Sequence, residues 1–264
     1  MLDLSAYLRR IEYVSAIAPS RQVLEALHLA HATHIPFENI DILLGRPIAL
    51  DLASLQAKLV QQRRGGYCFE HNLLFAAVLR EAGFDLTALA ARVRLGTGVV
   101  LPRTHMLLLV EADGRRWLAD VGFGGEGLLL PVPFGTGEAA AQYGWTYRVV
   151  EEANSGTWIL QSRRNAAWVD LYAFTLEPQL AVDYAIANHY MSTHPTSRFV
   201  RTLTAQLPGP ERRMILRNRE LTEDRGAVVT TRRLSGDDEI AQALRETFGL
   251  DLSEQQVMTA CRGI

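Results

Sequence analysis

Cys68 stands directly after a glycine pair, in Arg63-Arg64-Gly65-Gly66-Tyr67-Cys68-Phe69-Glu70, where a helical pattern begins. At a helix N-terminus, unpaired N–H groups and the helix dipole favour an anion, here a thiolate. The same N–H groups can receive the oxyanion of an attacked carbonyl. The chemistry this position suggests is nucleophilic catalysis through a thioester, provided that a base and a group to orient it exist. Without them, Cys68 is a buried structural cysteine.

The base and its orienter follow from a hairpin. Thr104–Val110 and Arg116–Val121 read as strands flanking Asp113-Gly114, a two-residue type I′ turn signal. If those two residues are the loop, Ala112 faces Arg115, Leu107 faces Asp120 and His105 faces Gly122. His105 and Asp120 then share one face as diagonal neighbours, about 7–8 Å apart at the backbone. Gly122 opposite His105 leaves room for the ring. A three-residue loop would shift the parity and separate the two side chains. His71, three residues past Cys68 on a nearby helical face, is the competing base.

Other motifs carry weaker chemistry. Gly122, Gly124 and Gly127 satisfy G-x-G-x-x-G, but Leu128-Leu129-Leu130-Pro131 cannot start the helix that a dinucleotide site requires. The segment reads either as a glycine-rich strand exit or as bare backbone N–H groups open to a pyrophosphate. His28, His31 and His34 recur every three residues, a spacing that drifts around a helix and does not converge on a metal; no metal is expected. Glu38 and Arg64 suit an ion pair bracing the loop before Cys68, or else a solvated surface pair. Arg212, Arg213, Arg217 and Arg219 alternate with acidic residues and read as a solvated strand face.

The elements that must hold these residues fall into three parts. Ser20 and Asp51 are N-cap candidates for two helical segments before the one that opens at Cys68 and closes near Gly83. From Phe84 the pattern alternates, giving strands at Leu86–Leu95, the hairpin above, Trp145–Val150, Thr157–Ser162 and Trp168–Phe174. Consecutive strands without intervening helices argue for an antiparallel barrel or sandwich. After Pro178 come a helical stretch to about Tyr190, strands at Met214–Arg219 and Ala227–Arg232, and a helix at Asp237–Phe248. The expected fold is α+β: an N-terminal helical bundle (1–85), a central antiparallel β-barrel (86–186) and a C-terminal α/β lid (187–264). The 264 residues, 48% of them hydrophobic and 21% charged, have a net charge of −2. That balance excludes global disorder and gives no electrostatic footprint for nucleic acid. No apolar run reaches the ~20 residues of a membrane span, and the first ten residues lack a signal-peptide core. Two cysteines cannot build a disulfide framework or a four-cysteine zinc site, and Cys261, near the C-terminus, is expected to be inert or frayed. Cytoplasmic placement, with no nucleic-acid or membrane partner, is the resulting expectation.

Cys, His and Asp in that order, with Cys on a helix and His on a β-unit, is the layout of papain-like and transglutaminase-like thiol enzymes. His34-Ile35-Pro36-Phe37-Glu38-Asn39, Arg64-Gly65-Gly66-Tyr67-Cys68-Phe69-Glu70, Thr104-His105-Met106, Asp120-Val121-Gly122-Phe123-Gly124 and Tyr190-Met191-Ser192-Thr193-His194-Pro195 together resemble the arylamine N-acetyltransferases, in the compact bacterial form. The resemblance spans residues 34–199 and thins beyond them. It implies a cysteine-protease-like core, a Cys68–His105–Asp120 triad, and acetyl-coenzyme A as donor to arylamines, arylhydrazines or arylhydroxylamines by a ping-pong route. It favours His105 over His71 as base. It further implies Phe37, Phe69, Phe123 and Phe199 around the aromatic acceptor, Thr104, Gly122, Gly124 and Gly125 near coenzyme A, and a segment from about Met191 covering the cleft. The protein would act as a monomer or homodimer. A thiol hydrolase or transglutaminase-like amidase would use the same triad, and a binding module would leave Cys68 merely buried.

Overall fold

A computed structural model describes residues 1–96, 98–153 and 155–262. The helical part comprises α1 (Leu4–Arg10), α2 (Arg21–His34), α3 (Ile40–Leu43), α4 (Leu52–Leu55) and α5 (Cys68–Glu81), with the two-residue strand β1 (Phe37–Glu38) between α2 and α3. Ser20 and Asp51 cap α2 and α4 through their side chains, as their types dictate. Beyond α4 the chain continues as a π-helical stretch, Gln56–Gln61. It is Arg63, at φ 52°, that turns the chain after this stretch. The glycine pair that follows serves close packing. A Cβ on Gly65 would stand 1.9 Å from the Pro36 carbonyl oxygen, and one on Gly66 2.6 Å from Glu70 Oε2. The two glycines let this chain lie against β1, where the Glu38 N–H donates to the Gly66 carbonyl at 2.7 Å.

Helix α5 begins at Cys68 itself. Glu70 Oε2 accepts from the Tyr67 N–H at 3.0 Å, a carboxylate at the positive end of the helix. The far end closes in a Schellman arrangement: Gly83 N–H to the Arg80 carbonyl, Phe84 N–H to the Leu79 carbonyl, and Gly83 at φ 85°. Fully buried Leu74, Phe75, Val78 and Leu79 seat α5 in the first hydrophobic core, at roughly 1.5–3 kcal/mol for each large side chain removed from water.

The second part is an antiparallel eight-stranded sheet, nearly closed into a barrel, in the order β5-β4-β3-β2-β9-β8-β7-β6. Its strands are β2 (Leu86–Val93), β3 (His105–Ala112), β4 (Arg115–Ala119), β5 (Val132–Pro133), β6 (Ala140–Gln142), β7 (Trp145–Glu152), β8 (Thr157–Arg164) and β9 (Ala167–Phe174). Asp113 and Gly114 both have positive φ, 50° and 69°, the type I′ signature. Ala112 pairs with Arg115 and Leu108 with Ala119, the register expected of a two-residue loop. Strand β3 is buried on both faces: Met106, Leu108 and Val110 face the helices, Leu107 and Leu109 the barrel interior.

Helices α6 (Ala181–Thr193) and α7 (Arg198–Arg201) lead to a five-stranded sheet, β10 (Thr204–Pro208), β11 (Arg213–Arg217), β12 (Glu220–Asp224) and β13 (Val229–Arg233), followed by α8 (Asp237–Phe248) and α9 (Glu254–Ala260). The fifth strand of this sheet is β1, paired with β10. A third core joins α8, α9 and the inner face of this sheet. Cys261 is part of it, 6% exposed at the end of α9 and therefore not frayed; burial pushes its thiol up to about 11. Among the described residues no helix is long and apolar enough to cross a membrane.

Candidate active site

The N-terminus of α5 and the start of β3 meet at one end of the barrel, and Asp120 lies beside them just past β4. His105 Nε2 is 2.6 Å from Asp120 Oδ2, and both residues are buried. With Nε2 committed to Asp120, the other ring nitrogen is left for Cys68, which lines the same cleft as His105 and helps to favour its charge. The Cys68 Sγ also lies 3.6 Å from the Thr104 carbonyl oxygen. Burial disfavours charge on His105. The Asp120 charge and hydrogen bond, reinforced by Cys68, overcome it and raise the imidazole to about 10. Burial acts against the Asp120 charge too, but His105, Asn72 and the Gly122 N–H hold its carboxyl below the ordinary value.

The supports of Asp120 come from elsewhere in the chain. Asn72, one turn along α5 from Cys68, donates through Nδ2 to Asp120 Oδ1 at 2.9 Å and to the Met106 carbonyl at 2.7 Å. Its Oδ1 accepts from the Val121 N–H at 3.2 Å. The Gly122 N–H donates to Asp120 Oδ1 at 2.9 Å. Gly122 makes space, but not for the imidazole: a Cβ there would stand 2.6 Å from Asn72 Nδ2 and 2.9 Å from the Cys68 Cα. Its bareness allows the strand exit to press against the start of α5.

His71 is placed otherwise. The Pro36 carbonyl can only accept, so His71 Nε2 donates to it at 3.2 Å; His71 Nδ1 then accepts from His31 Nε2 at 2.9 Å, and Tyr7 donates to His31 Nδ1 at 2.8 Å. Burial lowers His71 to about 4. It is a neutral link holding Pro36, with both ring nitrogens used away from the sulfur. The other two histidines of the spaced trio are also committed, His28 to Leu129 and Asp120 and His34 to the Ala30 carbonyl.

The loop before Cys68 is braced by a charge network. Arg64 donates through Nε and Nη2 to Glu38 Oε1 at 2.9 and 2.7 Å, and both residues are buried, so this is no solvated pair. Lys58 bridges Asp41 and Glu70 at 2.9 and 2.7 Å.

Cys68 and His105 open on a cleft with about 790 Å³ of empty space, mouth included. Phe37, Phe123, Phe199, Thr104 and Gly122 line it, joined by Val93, Leu95, Leu101 and Met191. Phe37 and Phe199 lie 5.9 Å apart between ring centroids, and Phe123 meets the His105 ring edge-on at 5.0 Å. Phe69 is not in this wall. Its ring packs on Tyr67 and Tyr184 in the helical core, because the residue after Cys68 points to a different side of α5.

The glycine-rich exit is an irregular loop, and its polar groups are largely spoken for. The Gly125 N–H donates to Gln206 Oε1, and the Gly127 N–H to the Gly124 carbonyl at 2.8 Å. Neither Gly124 nor Gly125 lines the cleft. Arg213 donates to the Gly125 and Gly127 carbonyls at 2.7 and 3.0 Å and to Tyr147 at 2.5 Å. This arginine is 1% exposed, which corrects the reading of the cluster as a solvated face. Arg212 and Arg219 do make surface ion pairs, with Glu223 and Asp237, whereas Arg217 lines the cleft.

An N-acetyltransferase family model matches residues 21–257. The arylamine N-acetyltransferase of Escherichia coli (strain K12) is 39% identical over 254 residues, 95% of this chain and 90% of its own. The chain belongs to the arylamine N-acetyltransferase family. The enzyme of Mycolicibacterium smegmatis is 38% identical over 259 residues, 96% of this chain and 94% of its own. Among solved structures, the arylamine N-acetyltransferase of Salmonella typhimurium superposes with a TM-score of 0.93 at 35% identity, covering 100% of both chains. That of Mycobacterium marinum, solved in complex with CoA, gives 0.92 at 33% identity over 98% of each. In this N-acetyltransferase, Asn72 and Gln206 carried no local sequence signal, and the spacing that singled out His28 and Arg213 did not show their polar roles near the site. Each works through a contact dozens of residues away, and only an unsatisfied partner on the far segment could have pointed to it.

Proposed function

We propose that this acetyltransferase works by a ping-pong route in which Cys68 carries the acetyl group as a thioester. The observation that carries the reading is the 2.6 Å His105–Asp120 contact, made in the same cleft that Cys68 enters from the start of a helix. In the resting state His105 is imidazolium and Cys68 thiolate. The thiolate attacks the carbonyl of acetyl-coenzyme A; the carbon–sulfur bond to coenzyme A breaks, and His105 protonates the departing sulfur. One thioester replaces another, so the step is nearly isoenergetic. The acceptor is an arylamine, arylhydrazine or arylhydroxylamine, and it arrives neutral. Its nitrogen attacks the acetyl-Cys68 carbonyl, His105 takes the nitrogen's proton, and Cys68 leaves as thiolate. Asp120 orients the ring and stabilises its charge without accepting the proton. The Cys68 N–H, in the first turn of α5, is one donor to the oxyanion.

Phe37, Phe123 and Phe199 supply the flat apolar wall that an aromatic acceptor needs. Coenzyme A enters past Thr104 and Gly122; Gly124 and Gly125 shape that loop from behind. We divide the labour by segment: residues 1–85 hold the nucleophile, 86–186 its base, and 187–264 close the cleft. A cytoplasmic location fits the two free cysteines.

The test is intact mass after incubation with acetyl-coenzyme A and no amine. The expected result is one acetyl group on Cys68, released by an arylamine and absent in Cys68→Ala. No adduct overturns the reading, and rapid discharge to water favours the hydrolase alternative.

A further inference from the structure

Strand β10 pairs with β1 so that Gln206 stands opposite Phe37, and side chains opposite one another in an antiparallel pair share a face. Phe37 lines the cleft that holds Cys68, and so does Gln206, although Gln206 is only 3% exposed. Its carboxamide is held in one orientation. The Gly125 N–H can only donate, so the atom it meets is Oε1, and Nε2 is the other arm of the amide. The fit requires bare backbone: a Cβ on Gly124 would stand 2.2 Å from that oxygen. Gly124 and Gly125 thus seat an amide instead of lining the cleft themselves. Among the described residues nothing accepts from Nε2. Nor is it sealed in the packing, unlike the buried partnerless atoms Ser162 Oγ, Arg213 Nε and Glu223 Oε1. A buried side chain therefore presents a neutral N–H donor to the cleft.

We propose that Gln206 is a binding residue for the acetyl donor, its Nε2 donating to the amide carbonyl nearest the thioester in the pantetheine arm. This rests on the reading above that acetyl-coenzyme A brings its thioester to Cys68 through this cleft. The arm must lie against a largely apolar wall, and an amide carbonyl taken out of water there needs a donor. A carboxamide suits it, because neither group is ionised. The spacing agrees. Gly122 presses on the Cys68 Cα, and Gly124, two residues further along the chain, on the Gln206 amide. Two residues of chain reach at most about 7 Å. In acetyl-coenzyme A two methylenes separate the thioester sulfur from the first amide, a span of the same order. The acetyl carbonyl itself is served by the Cys68 N–H at the start of α5.

The test compares two small acetyl donors, S-acetyl-N-acetylcysteamine and S-pentyl thioacetate. They share the thioester and its reach, but only the first carries the amide. Rates of Cys68 acetylation are measured with each in the full-length enzyme, in Gln206→Glu and in Gln206→Met. Gln206→Glu keeps an acceptor for the Gly125 N–H and removes the donor; Gln206→Met removes the donor without adding a charge. Loss of one neutral hydrogen bond predicts that the amide-bearing donor slows by about 3- to 10-fold in both variants. The alkyl thioester should stay within about two-fold of wild type, because it never made the contact. Equal slowing of both donors overturns the assignment, since a displaced loop or a contact to the acetyl carbonyl acts on either. Unchanged rates overturn it too, as does slowing confined to the amine step. If neither variant folds, NMR of the native enzyme decides: the Gln206 side-chain amide signals should shift when coenzyme A binds, and unmoved signals count against the contact. If the native enzyme forms no acetyl adduct, the thioester mechanism fails, and the same spectra still decide whether Gln206 meets the donor.

Discussion

His28 Nε2 accepts a hydrogen bond from the backbone N–H of Asp120 at 3.1 Å, and its Nδ1 donates to the Leu129 carbonyl at 3.0 Å. The β3–β4 ladder ends at Leu108 and Ala119, so the N–H of Asp120 has no strand partner and the helix supplies one. Burial lowers His28 to about 4, which keeps the ring neutral and able to accept. One side chain of α2 thereby fixes where the orienting carboxylate leaves the sheet.

Replacing His28 with Phe keeps the ring volume and strands both backbone groups. Each buried unsatisfied group costs about 1–3 kcal/mol, so chemical denaturation should show His28→Phe destabilised by roughly 2–4 kcal/mol. Cys68 acetylation should slow as Asp120 shifts. Unchanged stability would mean that water replaces the imidazole.

Asp120→Asn keeps the shape and removes the charge. His105 loses the interaction that raises it, and acetylation should fall by about two to four orders of magnitude, as expected when a catalytic imidazole loses its carboxylate. NMR of the His105 ring should show imidazolium at pH 8 in the native enzyme and neutral imidazole in the variant.

Stability should depend on pH in both directions. His105 is raised from 6.5 to about 10 in the fold, so its contribution is complete below 6.5 and lost as pH climbs toward 10. His28 and His71 are depressed from 6.5 to about 4, so theirs is present above 6.5 and lost as pH falls toward 4. Thermal unfolding should therefore peak near neutrality, and the alkaline decline should shrink in Asp120→Asn. A native profile flat from pH 6.5 to 10 would contradict this.

Gly122→Ala places a methyl against the Cys68 Cα and the Asn72 amide, both fixed by helix α5. Overpacking of this kind costs about 1–3 kcal/mol. Differential scanning calorimetry should register the loss, with slower alkylation of Cys68 if the start of α5 is displaced.

The hairpin shows why part of the site was readable. An Asp-Gly pair sets a two-residue turn, the turn sets the register, and the period of two puts His105 and Asp120 on one face. Nothing non-local is needed for that chain of inference. Helix α8 was legible at Asp237–Phe248 for a similar reason, since caps and apolar spacing are local. Strands β10 and β12 were not, because β10 is defined by its partners β1 and β11, one of them more than 160 residues away. Arg213 was misread because its acceptors are carbonyls in a loop nearly 90 residues earlier.

The sequence by itself determined the nucleophile's position on a helix start, the sharing of one strand face by its base and orienter, and the α+β order of elements. These depend on capping, turn type and side-chain period, all properties of neighbouring residues. The tertiary structure alone decided which bases and rings face the sulfur. It turned His71 toward Pro36, buried Phe69 in the helical core, and brought Asn72 and His28 to Asp120. Those outcomes depend on which distant polar groups must be satisfied once packing removes them from water, and no local pattern records that.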